Sequence, residues 1–269
     1  MRKHISGFSN PTVKYLRSLR EKKHRKRAGQ FLVEGLRLLE DARVSGYAPR
    51  QLVMAENAER NAAAQDLLTR LESEIEAQGG EVITTTPDIL SKITGKSNTQ
   101  SVVGVFDEFD TSLARLDRGA AQIWLVAQDL RDPGNLGTML RTGDAVGAGG
   151  LILIDDCADP FSAEAVRASM GAVFTQSLAQ ARWSDFVAWL RDGEGQLVAA
   201  SLRDAVPYRG APYEAPCFIL VGNESQGLPE AYEAECDLRV TMPMRGRADS
   251  LNAAVAGAVL AYEVLDALE

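Results

Sequence analysis

The apolar positions of this 269-residue chain change period repeatedly, and each change marks an element. Asn10-Pro11 has the form of an N-cap followed by a first helical residue, Val13, Leu16 and Leu19 recur at helical spacing, and Gly29 is a stop. Phe31-Leu32-Val33 predicts a short strand, Leu36 to Val44 a helix ended at Gly46, and Leu52-Val53-Met54 another strand. Residues 61–77 place Ala64, Leu67, Leu68, Leu71 and Ile75 on one helical face. Val82 to Thr85 predicts a strand, Thr86-Pro87 a helix start, and Ser101 to Phe106 a strand that closes a compact α/β unit. Residues 107–122 are acid-rich without a sustained apolar period and have the character of a linker. From Ile123 strands and helices alternate. Strands are predicted at Ile123–Ala127, Leu151–Ile154, Leu197–Ser201, Phe218–Val221 and Leu238–Met242, and helices after Asn135, from Ser162, near Asp185–Leu190 and from Ser250. Such alternation implies a mainly parallel sheet covered by helices, with ligands at the carboxyl ends of its strands.

Charge sharpens this division. Residues 1–30 hold ten Lys/Arg and one acid, Glu21, so the remaining 239 residues carry 19 basic against 36 acidic side chains. Lys14, Arg17, Arg20, Lys22, Lys23, Arg25, Lys26 and Arg27 form a local polycation on an acidic body, which is where phosphates of a nucleic acid would be held. A solvated basic helix or a transit peptide would have the same composition. The longest apolar stretch, Ala253 to Tyr262, is too short to span a bilayer, and no apolar segment follows the charged start, so an aqueous, cytoplasmic location is expected. Cys157, Cys217 and Cys236 are widely spaced and only His4 and His24 accompany them, so neither a disulfide framework nor a metal site is expected.

Three strand-ending loops carry candidate chemistry. Leu130-Arg131-Asp132-Pro133-Gly134-Asn135-Leu136-Gly137 leads into a helix containing Arg141, with Asn135 as its candidate cap and with Gly137, Gly143 and Gly147 suited to close packing. Phe218 to Val221 runs into Gly222-Asn223-Glu224-Ser225-Gln226-Gly227, where glycines let the backbone approach a flat or polar ligand. Val240-Thr241-Met242-Pro243-Met244 is followed by Asp249-Ser250-Leu251-Asn252, which opens a helix rich in small residues with Asp249 or Ser250 as cap. Each loop alone has a plainer explanation, namely a surface salt bridge for Arg141, a simple turn, and a capped core helix. Gly147-Ala148-Gly149-Gly150 lies between helix and strand, the wrong context for a dinucleotide loop, and Leu90 stands where a P-loop before Gly95-Lys96-Ser97 needs glycine.

In this order and spacing the three loops resemble the SpoU (TrmH-like) family of RNA ribose methyltransferases, within the SPOUT class. Asn135 and Arg141 match the family's first motif; Gly222, Glu224 and Gly227 the second; Met242-Pro243-Met244, Gly246 and Ser250-Leu251-Asn252 the third. Met242 replaces a usual Ile, and Ala253-Ala254 a common Val-Ser. Asn10 through Phe106, including Phe31-Leu32-Val33-Glu34-Gly35, is similar to the substrate-binding domain of members that act on ribosomal RNA.

The resemblance implies three segments: an α/β RNA-binding domain at residues 1–106, a linker at 107–122, and an α/β domain at 123–269 whose mainly parallel sheet carries a deep trefoil knot. It implies S-adenosylmethionine as cofactor, held by Gly222, Met242 and Leu251, with Leu220, Ser201 and Gly227 as neighbours. The catalytic set it implies is Arg141, Asn135, Glu224, Ser250 and Asn252. Arg141 would steady the developing alkoxide and the adjacent phosphate, and Glu224 would take the proton or orient Arg141. The family also implies a homodimer, and methylation of a ribose 2′-OH in large-subunit (23S) ribosomal RNA. A transfer RNA substrate, or a non-catalytic RNA-binding or ribosome assembly role, is the alternative.

Overall fold

A computed structural model describes residues 1–56, 62–223 and 225–269. The chain forms two compact units, one of Met1–Phe109 with Phe161–Arg167, the other of Asp110–Pro160 with Ala168–Glu269. The first unit therefore runs slightly past the expected boundary and takes in a short segment from within residues 123–269. Phe161 accounts for that exchange, because its ring centroid lies 4.9 Å from that of Phe31 and 5.5 Å from that of Phe109.

The first unit contains β1 (Arg2–Ile5), α1 (Pro11–Ser18), α2 (Lys22–Ala28), β2 (Gln30–Glu34), α3 (Leu36–Val44), β3 (Gln51–Ala55), α4 (Ala62–Ala77), β4 (Glu81–Thr85), α5 (Pro87–Thr94) and β5 (Val102–Asp107). Its sheet has the order β1-β4-β3-β5-β2, with β1, β4 and β3 parallel and β5 antiparallel to both neighbours. Leu16, Leu19, Val53, Ile83, Ile89 and Val105 belong to its core. The edge strand β1 was not anticipated, because only Ile5 of its four residues is buried; its polar side chains pair instead, Arg2 with Glu72 and Glu76 and Lys3 with Glu81.

The single amphipathic element expected through Gly29 is two helices. Asn10 caps α1, its Oδ1 accepting from the Thr12 amide at 2.8 Å, and α2 stops at Gly29, whose φ of 62° suits glycine. Between them Arg25, 3% exposed, donates from Nη1 to the carbonyls of Leu19 (2.9 Å) and Arg20 (2.7 Å). Carbonyls at a helix end lack intrahelical partners, and Arg25 supplies them. Arg25 is thus a structural cation rather than one of the expected phosphate ligands. Lys26 pairs with Glu108 at 3.3 Å, while Lys14, Arg17, Arg20, Lys22, Lys23 and Arg27 are exposed.

From Asp110 onward the expected linker is docked within the second unit. Arg118, in one of two short 3₁₀ turns (Leu113–Arg115 and Arg118–Ala120), lies 4.3 Å from the centroid of the Trp189 ring and donates to the carbonyls of Trp189 and Leu190. There follow β6 (Ile123–Gln128), α6 (Pro133–Ala145), β7 (Gly150–Ile154), α7 (Ala163–Ala168), which except for its last residue belongs to the first unit, β8 (Ser177–Ala181), α8 (Trp183–Arg191), β9 (Gln196–Ala200), β10 (Val206–Pro207), β11 (Cys217–Val221), α9 (Glu230–Glu233), β12 (Leu238–Thr241) and α10 (Ala253–Leu268). The sheet order is β10-β12-β9-β11-β6-β7-β8 and every neighbouring pair is parallel, as the alternation predicts. β11 is buried throughout and is a continuous apolar run, as strands covered on both faces are. The strands not anticipated, β8 and β10, are the two edges, where half-buried or exposed residues leave a weak pattern. Among the described residues no helix is long and apolar enough to cross a membrane.

The placement of Arg25 makes a test. Arg25→Met removes charge-assisted bonds to two carbonyls and should cost about 2–3 kcal/mol of stability, read as a lowered urea midpoint. A midpoint equal to that of the parent protein would contradict this role.

Candidate active site

The site is built where β11 ends, between β6 and β9. After Val221 the chain turns so tightly that a Cβ on Gly222 would lie 2.7 Å from the Gly227 carbonyl carbon and the Leu228 nitrogen, closer than real side chains come. Asn223 holds this turn from both sides. Its Oδ1 accepts from the amides of Ser225 (2.9 Å) and Gln226 (3.1 Å), its carbonyl accepts from the Gly227 amide (2.9 Å), and its Nδ2 donates to the Asp129 carbonyl at the end of β6 (2.9 Å). Gly227, with φ of 68°, takes the left-handed conformation that closes the loop. Glu224 lies outside the described residues.

The first and third loops meet through two asparagines. Asn252, rather than Asp249 or Ser250, caps α10, its Oδ1 accepting from the amides of Ala254 (3.0 Å) and Val255 (3.2 Å). Its Nδ2 donates to Asn135 Oδ1 at 2.9 Å. Asn135 itself does not cap α6: Asp132 does, accepting from the Asn135 amide at 2.6 Å, with Pro133 at the first helical position. The cap moves upstream because Pro133 already has the helical φ and lacks the amide that would go unpaired there. Of the glycines expected to pack closely within α6, Gly143 has Gln176 Oε1 2.8 Å from where a Cβ would sit, whereas Gly147 lies beyond the helix with φ of 66°. The small residues of α10 are used within the chain, Gly257 facing Met139 and Val221.

A cavity of about 380 Å³ opens at these strand ends, and Ser201, Gly222, Gly227, Met242, Ser250 and Leu251 all line it. Six predicted residues from the ends of β9, β11 and β12 and the approach to α10 therefore share one wall. Leu220 does not: it is fully buried in the core with Trp124 and Phe218, because side chains alternate along β11 and its neighbour Val221 faces the cavity. Asn135 and Asn252 stand outside the wall, joined to each other. Arg141 is exposed on α6, makes no hydrogen bond or ion pair with a described residue, and lies six positions beyond Asn135, about 120° around the helix.

Two residues of the wall had no sequence signal. Glu233, 6% exposed, accepts from Ser201 Oγ at 2.6 Å and from Arg203 Nη1 at 3.3 Å, and both Glu233 and Arg203 line the cavity. In sequence Glu233 is one of several acids between Gln226 and Leu238, and only the burial of one face of α9 separates it from Glu230. Beneath the first loop, Cys157 Sγ accepts from the Leu130 amide at 3.3 Å, and burial pushes this thiol up to about 11. Burial likewise pushes Cys217 and Cys236 up to about 12.

Comparison with known proteins gives this arrangement its family. The sequence model of the SpoU rRNA Methylase family matches residues 122–262, and that of the MRM3-like substrate binding domain matches residues 10–104. The chain belongs to the SpoU family. It is 30% identical over 262 residues to the 23S rRNA (guanosine(2553)-2′-O)-methyltransferase RlmP of Bacillus subtilis, spanning 97% of this chain and 99% of that one. The crystal structure of an AdoMet-bound rRNA methyltransferase from Sinorhizobium meliloti superposes with a TM-score of 0.92 at 37% identity, covering 100% of this chain and 99% of the other. The SpoU methyltransferase AviRb of Streptomyces viridochromogenes, in complex with AdoMet, gives a TM-score of 0.85 at 28% identity over 96% and 98% of the two chains. The cavity of this SpoU protein fits S-adenosylmethionine on its own chemistry. The apolar side chains of Val221, Leu228, Val240 and Met242 suit a purine, the bare Gly222 backbone admits close contact, and Glu233, Ser201 and Arg203 supply polar partners.

Two outcomes test this description. Gly222→Ala forces a Cβ against backbone and should abolish S-adenosylmethionine binding measured by calorimetry, with about 1–3 kcal/mol of stability lost; unchanged binding would mean that the turn is not the cradle. The raised thiol pKa values favour the neutral form in the fold, so their stabilisation is complete below the ordinary thiol value of 9.0 and is lost as pH rises towards 11 and 12. Labelling by a disulfide reagent at pH 8 should then be slow for all three cysteines in the native protein and fast in urea, and rapid native labelling would contradict their burial.

Proposed function

We propose that this protein transfers the methyl group of S-adenosylmethionine to a ribose 2′-oxygen of 23S ribosomal RNA, as a cytoplasmic homodimer whose C-terminal α/β domain is knotted. The observation that carries the reading is the convergence of the second and third loops on one cavity, with the first loop tied to the third through Asn135 and Asn252. RlmP, whose name specifies a 23S rRNA 2′-O-methyltransferase and which matches nearly the full chain, supports the choice of RNA.

Bound S-adenosylmethionine supplies a methyl group on a positively charged sulfur. Everything else falls to this chain. The backbone around Gly222, Met242 and Leu251 holds the adenosine part, and the apolar wall excludes water from the reacting centre. A guanidinium is a poor proton acceptor near neutrality, since its pKa exceeds about 12. Arg141 therefore steadies the negative charge developing on the 2′-oxygen and the neighbouring phosphate, for which its exposure leaves it available. Glu224 takes the proton. Ser250, exposed at the mouth, hydrogen-bonds the ribose or phosphate, and the Asn135–Asn252 pair fixes the two helix starts around it.

Other features support the finer parts of the reading. β12 lies beyond β9 in the sheet, yet α10 returns to pack on β11, β6 and α6, a return compatible with the threading of a trefoil knot. Leu251, Val255 and Tyr262 are large apolar side chains exposed along the start and outer side of α10, a surface suited to a second copy. Exposed Lys22 and Lys23 on α2, with Arg17 and Arg20 beside the 3₁₀-like turn after α1, form the surface for RNA phosphates.

Arg141→Ala should lower methyl transfer to 23S RNA by at least about 100-fold while leaving the melting temperature and cofactor affinity unchanged. Retained turnover would remove Arg141 from the mechanism. Lys22→Glu combined with Lys23→Glu should weaken RNA binding and reduce the slope of log K against log salt by about 1–2, without the loss of stability that an Arg25 change brings. An unchanged slope would return α2 to a solvated role.

A further inference from the structure

The cavity wall holds a charge that the apolar surroundings do not require. Glu233 sits on the four-residue helix α9 with its side chain 7% exposed, and shares the cavity lining with the apolar Leu228 and Val240. A buried carboxylate is costly to keep unless it is paired, and an apolar residue of similar size in such a wall is commonly as stable or more so. Here the pairing is partial. Ser201 Oγ donates to Oε1 at 2.6 Å, and Arg203, itself more than half exposed and 3.7 Å from Glu230, reaches Oε2 at 3.3 Å. An ionised carboxylate has about four acceptor positions, so two remain for a ligand of the cavity that Glu233 lines.

We propose that Glu233 binds the ribose diol of the cofactor's adenosine part, with Ser201 and Arg203 fixing the carboxylate in position. The assignment rests on the cofactor reading given above and extends it to one group of the ligand. Three properties select the diol. Arg203 already offsets the charge of Glu233, so the pair calls for neutral donors rather than for a second cation such as a sulfonium or an ammonium. Two adjacent hydroxyls are two donors at the spacing of two carboxylate oxygens. The glycine-lined turn at Gly222 and the side chains of Met242 and Leu251 line the same cavity and suit a flat base, which leaves the polar group of Glu233, Ser201 and Arg203 to the sugar. Ser201 also anchors the group to the sheet, because its amide donates to the Val240 carbonyl at 3.0 Å and its Oγ accepts from the Arg203 amide at 3.0 Å. The carboxylate is thereby held by β9 and β12 as well as by its own short helix.

Calorimetry on the full-length protein separates the alternatives, with S-adenosylmethionine, 5′-methylthioadenosine, and the 2′-deoxy and 3′-deoxy forms of the latter as probes. The parent protein should bind the deoxy compounds about tenfold or more weakly than 5′-methylthioadenosine. Glu233→Leu should weaken S-adenosylmethionine and 5′-methylthioadenosine by the same factor and abolish the penalty for removing a hydroxyl, the coupling that a merely structural role would not produce. Should the Leu variant not fold, Glu233→Gln with the same probes must still reduce that penalty. Deoxy compounds that bind the parent protein as tightly as the ribose compound overturn the proposal. So does a Leu variant that weakens S-adenosylmethionine alone, which would place Glu233 at the charged tail. A parent protein that binds none of the four probes overturns the cofactor reading itself.

Discussion

The site depends on two stretches of backbone lying closer together than any side chain would permit. At Gly222 the end of the central strand β11 passes against the Gly227–Leu228 peptide, where a Cβ would lie only 2.7 Å from that peptide, so the approach requires glycine. That contact folds the loop back on itself, Asn223 ties it to the end of β6, and the wall it forms becomes one side of the cavity. The parallel sheet places the neighbouring loops within reach, because β9 and β6 flank β11 and β12 lies next to β9. The unit uses the same device at Gly150, where a Cβ would lie 2.1 Å from the Ser177 carbonyl oxygen, but there it joins β7 to β8 rather than shaping the cavity. At Gly222 the backbone itself must fit.

Amide side chains, rather than charged ones, hold the loops together. Asn carries both a donor and an acceptor and costs less to bury than an ion, so one residue can cap a turn and also cross-link it. Asn223 does this between β11 and β6, and Asn252 does it between α10 and Asn135 of α6. On the proposed function, the ionic groups are left for the ligands. Arg141 is exposed and has no ion pair with a described residue, and Glu233 is retained in an apolar wall with two described hydrogen-bond partners. The basic start of the chain is divided in the same way: Arg25 is spent on joining two helices, while Lys22 and Lys23 face solvent.

Much of this was legible in the sequence where one physical requirement dominates a position. Buried strands such as Phe218–Val221 appear as unbroken apolar runs, and the glycines at 222 and 227 mark the turn because nothing else fits there. Family resemblance then joined three loops that are individually ambiguous, and the family models match the chain on both sides of the linker. What escaped depended on partners distant in sequence. β1 is polar and is defined by β4, some 80 residues away; Arg25 looks like its basic neighbours until the carbonyls of Leu19 and Arg20 are placed; Leu220 and Val221 differ only in which face of the sheet they point to. The caps at Asp132 and Asn252 were displaced from the predicted ones for a local reason, since several capping residues stand side by side and the turn geometry chooses among them.

The central claim is that separated loops form a single binding site for S-adenosylmethionine. Amide hydrogen exchange of the whole protein, with and without saturating S-adenosylmethionine, tests it most directly. The account predicts that exchange slows together in residues 201–203, 222–228 and 242–252, while the basic α1–α2 segment is unaffected. Protection of only one of these loops, or protection confined to another part of the chain, would contradict it.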